Sequence, residues 1–190
     1  RRFLSALGAA PALALAGGPG AAQFIPAPED LSQTAADVWA AWKAGYLRPE
    51  GRVVDRLQQQ SSHSEGQGYG MLLAAEFGDR EAFLRMLAWT ETNLAVRADA
   101  LLAWRWLPDA ASPVPDTNNA SDGDLFFAWA LVRAARRFNE RRLLDRAAET
   151  ALALAQRCIA PSPADPNQLV FLPGAFGFAH EGRVIVNPSY

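Results

Sequence analysis

Cysteine is nearly absent from these 190 residues. Cys158 stands alone, which excludes an internal disulfide and any cysteine-based zinc cluster. Histidine is almost as scarce: His63 and His180 lie far apart and form no His-x-x-x-His pair, so no metal site is expected. An excess of positive charge is also lacking. The net charge is −2 and no basic cluster occurs, which removes the electrostatic footprint of a nucleic-acid binder. No apolar run is long enough to span a bilayer, and no G-x-x-x-x-G-K-[ST] loop is present to cradle phosphates. Strand–helix alternation of the nucleotide-binding kind is missing as well. What is there is ordinary for a globular protein, 50% hydrophobic and 20% charged, and long enough for one domain with a sizeable core.

The N-terminus carries an address. Arg1-Arg2 precede an apolar run from Phe3 to Ala16, followed by Gly17-Gly18-Pro19-Gly20-Ala21-Ala22. Gly20 and Ala22 supply the small residues that a cleavage site before Gln23 requires, the layout of a secretory signal peptide. The paired arginines also fit twin-arginine export, and a buried N-terminal helix is the alternative. On the export reading, residues 1–22 are the signal and residues 23–190 the mature chain, periplasmic or secreted.

Past the signal, the periodicity predicts a helix from about Leu31 to Tyr46, with Ser32 or Thr34 as cap and Val38, Trp39 and Trp42 at helical spacing. A polar loop then delivers the chain to a second helix over Gly68–Phe77. Gly78-Asp79 breaks it before a third helix, Arg80–Leu94. Residues 96–119 contain Pro108, Pro113 and Pro115 and predict no helix. Helix four is expected from Ser121 to about Phe138 and helix five from Arg141 to Ile159, with an apolar stripe through Leu144, Ala147, Ala148, Ala151, Leu152 and Ala155. Near the end, Leu169–Pro173 and Arg183–Val186 read as two short strands that pair in an irregular hairpin. The pattern is all-α: helical hairpins separated by long loops, and such loops are usually functional. Asn187-Pro188-Ser189-Tyr190 reads as a turn, which points to an open reading frame that continues.

Two acidic segments stand out. Ser64-Glu65-Gly66-Gln67-Gly68-Tyr69-Gly70-Met71 sets one acid among three glycines and a tyrosine, a combination that lets a bulky, stacking ligand approach closely. Asp116 to Asp124 holds a second, with Asp122 and Asp124 flanking Gly123. Both have a plainer reading. Ser62 to Glu65 fits an S-x-x-E capping box and Ser121 to Asp124 fits S-x-x-D, and acids in a first helical turn are favoured by the dipole. The chemical reading is glycoside hydrolysis, which typically needs one protonated and one ionised carboxyl group. A helix N-terminus favours the ionised state, so an acid at Glu65 requires desolvation or a neighbouring carboxylate such as Asp122 to oppose it. Trp104, Trp106, Tyr69 and Tyr190 are candidate stacking platforms for sugar rings, with core packing as the alternative for each. Trp39, Trp42, Trp89 and Trp129 fall within helices and read as core or groove-lining residues.

These residues resemble a known family. The Ser64–Met71 segment is similar to that holding the proton donor in glycoside hydrolase family 8. Ala120–Leu131, continuing to Ala134 and Phe138, is similar to that family's aspartate signature; Phe127 stands where isoleucine or methionine is usual. Leu102-Ala103-Trp104-Arg105-Trp106 and Asn187-Pro188-Ser189-Tyr190 resemble the endoglucanases encoded with bacterial cellulose synthases. The resemblance covers roughly residues 24–190. It implies an (α/α)6 toroid, of which this chain would hold about the first half, together with cofactor-free, inverting endo-hydrolysis of β-1,4-glucan and a functional link to a cellulose synthase. By position, Glu65 would be the general acid. Asp122 would be the aspartate described as nucleophile or base, or would hold the sugar in the cleavage subsite, with Asp124, Tyr69, Trp104, Trp106 and Tyr190 as substrate contacts. Inversion places the carboxyls roughly 6.5–9.5 Å apart around a water. The family often assigns the base to a later helix, so the 190 residues alone are expected to turn over little. A non-catalytic β-glucan-binding module, a helical scaffold, and a hydrolase of xylan or chitosan are the alternatives.

Overall fold

The computed structural model describes residues 28–188, so the expected signal segment 1–22 and Tyr190 lie outside the described residues. Its helices are α1 (Pro28–Tyr46), α2 (Ser64–Phe77), α3 (Arg80–Asn93), α4 (Ser121–Arg137) and α5 (Arg142–Arg157). Short antiparallel pairs join β1 (Ser62–His63) to β2 (Arg105–Trp106), β3 (Ile159–Pro161) to β4 (Leu169–Phe171), and β5 (Ala179–His180) to β6 (Arg183–Val184). The expected all-α architecture holds, with small strand pairs at the C-terminal end.

Several expected boundaries shift. Pro28 opens α1, a position that suits proline's fixed φ and missing N–H, so Ser32 and Thr34 lie inside the helix rather than at its start. α2 begins at Ser64 rather than Gly68, which puts Glu65 on the helix itself. The two C-terminal runs do not pair with each other. Leu169–Phe171 returns to the segment leaving α5, while Arg183–Val184 folds back on Ala179–His180. The latter is fixed locally: Glu181 and Gly182 both have positive φ (45° and 73°), as a tight two-residue hairpin turn requires.

The helices assemble as hairpins. Gly78 closes α2 in the left-handed conformation, its N–H returning to Ala74 and Ala75. Asp79 then caps α3 by accepting from Ala82 N (3.0 Å) and also accepts from Lys43 Nζ (2.5 Å) and Trp39 Nε1 (3.1 Å) on α1. Met71, Phe83, Met86, Phe127 and Leu131 are fully buried between α2, α3 and α4. Side chains of this size stabilise the fold by about 1.5–3 kcal/mol each. A smaller cluster beside α5 holds Leu101, Leu154 and Cys158.

The pairing of α2 with α4 positions everything that follows. Glu76 meets Arg133 in a bidentate ion pair 57 residues apart (Nε 2.5 Å, Nη2 2.9 Å), the same offset that separates Glu65 from Asp122. The two helices therefore run parallel and in step. They also touch backbone to backbone. A Cβ at Gly123 would lie 2.2 Å from Ser64 Oγ and 2.8 Å from Glu65 N, and one at Gly68 would lie 2.9 Å from Phe126 Cβ. Only glycine fits at either place. Gly123→Ala should cost about 1–3 kcal/mol or more in urea unfolding. Gly45→Ala on α1, where a Cβ would meet nothing within 4 Å, should gain up to about 1 kcal/mol or leave stability unchanged. Equal midpoints for the two variants would contradict the tight contact.

Candidate active site

Neither expected capping box forms. His63 and Ala120 are the N-cap residues of α2 and α4, both extended, and neither side chain caps its helix. Ser62 lies in β1 and Ser121 is already helical. The free N–H groups are instead taken by backbone carbonyls of distant chain: Ser64 N donates to Trp104 O (3.0 Å) and Ser121 N to Pro173 O (2.9 Å). Glu65, the acid of the first expected box, is thus spared capping duty. Both are half-buried in the first turns of adjacent parallel helices, where the dipoles favour negative charge. Asp122 Oδ1 accepts from Gly123 N (2.8 Å).

Tyr69 joins the two acids. It sits one turn along α2 from Glu65. Partial burial first, then the negative charges of Glu65 and Asp122, push the phenol above its ordinary value. Its ring packs on Phe126 (4.3 Å between centroids), one turn along α4 from Asp122, and Phe126 leads to the exposed Trp129 at 5.8 Å. An aromatic strip therefore extends across both helices beneath the carboxylates.

Trp104 lies near the other side of the α2 N-terminus. Its ring stacks on His63 (5.8 Å, 13°), carries Arg105 at 5.6 Å, and donates through Nε1 to Asp116 (2.9 Å). Desolvation lowers the affinity of half-buried His63 for a proton; Asp55 opposes this and Arg105 adds to it. Trp106 is placed differently. Its ring meets Trp89 edge-on at 5.6 Å, lies under Arg52 at 5.0 Å and packs against the main core. A cavity of about 370 Å³ opens beside Glu65, lined among others by Trp42, Tyr46, Asp55, His63 and Tyr69. Trp42 and Tyr46 at this cavity went unnoticed in the sequence as partners of the acid, since nothing local connects α1 to residue 65.

Asp124, expected as a substrate contact, is placed inside. It is fully buried and both oxygens are engaged, Oδ1 by Leu102 N (2.8 Å) and Oδ2 by Asn119 Nδ2 (2.9 Å). Burial pushes its carboxyl up to about 7, against the pull of those two donors and of Arg97 and Arg146. Gln67 is its counterpart on α2. It accepts from Val53 N (2.5 Å) and donates to Thr90 Oγ1 (2.8 Å), Gly51 O (3.2 Å) and Met86 O (3.3 Å). The signal for Gln67 was present: Ser-Glu-Gly-Gln and Ser-Asp-Gly-Asp are one pattern written twice. Among the described residues, no group of three or more His, Cys, Asp and Glu is arranged to hold a metal ion, and no helix is long and apolar enough to cross a membrane.

The model of the glycosyl hydrolases family 8 matches residues 28–190. A probable endoglucanase of Novacetimonas hansenii is 45% identical over 166 residues, which is 87% of this chain and 46% of that protein. An endoglucanase of Cellulomonas uda is 36% identical over 163 residues, 86% of this chain and 44% of its own length. The chain therefore spans about half the length of the curated relatives it matches. Among solved structures, the endo-beta-1,4-glucanase CMCax of Acetobacter xylinum superposes with a TM-score of 0.75 at 44% identity, covering 80% of this chain and 47% of that one. A family 8 endoglucanase of Klebsiella pneumoniae gives 0.76 at 36%, covering 82% and 48%. These superpositions uphold the helical-hairpin fold expected from the resemblance.

The position of Asp124 sets a pH response. Its carboxyl rises from the ordinary 3.8 to about 7 on folding, so its contribution is fully present in acid and is lost as the pH climbs through 7. Asp124→Asn should therefore flatten the fall in Tm between about pH 4 and pH 8. Parallel curves for the variant and the wild type would contradict this.

Proposed function

The chain belongs to glycosyl hydrolase family 8, and from that premise we propose an exported endo-β-1,4-glucanase with Glu65 as its general acid. The observation that carries the reading is the convergence of Glu65 and Asp122 at the N-terminal ends of two touching helices held in step, with the Tyr69 ring of α2 packed on Phe126 of α4 beside them. The substrate follows from the relatives, which are endoglucanases, and from the flat Trp104 ring beside β1. Tyr69 is the second proposed substrate contact within the described residues, and Tyr190 a third outside them. Trp106 contributes to the core edge and reaches sugar only from that position.

In the proposed reaction protonated Glu65 gives its proton to the glycosidic oxygen as the bond to the anomeric carbon breaks. Water attacks that carbon from the opposite face and yields its proton to a base, inverting the configuration. Asp122 holds the sugar in the cleavage subsite. Its Oδ1 is occupied by Gly123 N, which leaves Oδ2 for a sugar hydroxyl. Export rests on the residue 1–22 pattern, and a link to cellulose synthesis on the likeness of the Leu102–Trp106 segment to endoglucanases encoded with the synthases.

Glu65→Gln in the full-length gene product should keep the fold and lower carboxymethylcellulose hydrolysis by about 10²–10⁴-fold, the usual worth of a general acid. Undiminished turnover would sink the assignment. Cello-oligosaccharide binding that survives in a wild type with no turnover would favour a glucan-binding module instead.

A further inference from the structure

Asp124 has a role that neither the substrate-contact reading nor simple core packing explains. Its two oxygens accept from two N–H donors that belong to different chain segments, Leu102 N and Asn119 Nδ2. Leu102 begins the segment that reaches α2: two residues on, Trp104 O accepts from Ser64 N, the first residue of the helix that carries Glu65. Trp104 N in turn donates to Asn118 O (2.9 Å), next to Asn119. Asn119 Oδ1 accepts from Ala175 N (2.6 Å), and Ser121 N of α4 is held by Pro173 O of that same loop. A continuous hydrogen-bonded frame therefore links the start of α4 to the start of α2, and Asp124 is the point from which it hangs.

We propose that Asp124 and Asn119 form a positioning pair that sets the relation of Asp122 to Glu65 through the Leu102–Trp104 segment, without touching the substrate. Gln67 supports the assignment. Three residues into α2, as Asp124 is three residues into α4, it is fully buried and holds the backbone N–H of Val53 in the loop before its own helix. The two sites solve one problem twice. At position 124 both partners donate, so each side-chain oxygen accepts, in the neutral carboxyl as in the ionised one. Asparagine there faces Asn119 Nδ2 with a second N–H donor, and turning Asn119 over to relieve this would break its bond from Ala175 N.

That donor pattern supplies the test, which rests on the glucanase reading. Turnover of cello-oligosaccharides is measured for the full-length gene product, for Asp124→Asn, and for the double variant Asp124→Asn with Asn119→Asp. In the swap the amide at 124 accepts from Leu102 N and donates to the carboxylate at 119, whose other oxygen accepts from Ala175 N. The hydrogen bonds to Leu102 N and Ala175 N and the one between residues 119 and 124 are restored with the same net charge; only the long contact from residue 119 to Cys158 Sγ (3.5 Å) loses its donor. The single variant should lose about 10–100-fold in kcat, the scale of a small misplacement of reacting groups. The swap should recover most of that loss. A carboxylate that binds substrate would not be rescued by moving it to residue 119. Full turnover in Asp124→Asn, or a swap no better than the single variant, folded or not, overturns the proposal. A wild type without turnover would sink the glucanase reading and this inference with it, whereas an active wild type with indifferent variants sinks the inference alone.

Discussion

The contact between Gly123 and the Ser64–Glu65 backbone is the constraint on which the rest of the structure depends. With no Cβ at residue 123, the first turn of α4 lies against the first turn of α2. Gly68 repeats the device one turn later, against Phe126. Two helices packed this closely and in parallel bring two N-terminal dipoles, and the two acids on them, to one place. The Tyr69 ring, packed on Phe126, ties the two helices together beside the acids. The ion pair of Glu76 with Arg133 fixes the register at the far end, where partial exposure keeps its energetic worth small.

The closeness has a cost. Ser64 Oγ and Ser121 Oγ are buried with no hydrogen-bond partner among the described residues, and each begins one of the two helices. An unsatisfied buried hydroxyl costs about 1–3 kcal/mol. The helices forgo the cap because carbonyls from Trp104 and Pro173 take the N–H groups instead. That exchange leaves Glu65 and one oxygen of Asp122 available for ligand. It also makes the acids depend on loops far away in sequence, held by Asp124, Asn119 and Gln67.

Much of this was legible in the sequence, for identifiable reasons. Gly78-Asp79 and the prolines of residues 96–119 break helices by local chemistry, and α3, α4 and α5 start or stop within a residue or two of expectation. The likeness of the Ser64–Met71 and Ala120–Leu131 segments to family 8 signatures carried the site. Helix caps were misread because their partners come from tertiary structure, which no local S-x-x-E spacing reveals. Strand pairing was misread because runs of two or three residues have no period to compare. Asp124 is the instructive case. Two residues along a helix turn a side chain by about 200°, so Asp122 and Asp124 could not both face a ligand. Helical geometry applied to Ser121–Arg137 would have sent one of them inward.

On the proposed glucanase reading, a β-1,4-glucan lies across the joined N-termini of α2 and α4. The most direct measurement is a crystal structure of the full-length gene product with a bound cello-oligosaccharide. The account predicts one sugar ring between Glu65 and Asp122, its glycosidic oxygen within hydrogen-bond distance of the Glu65 carboxyl. Sugar bound elsewhere, with no ring within reach of both acids, would contradict it.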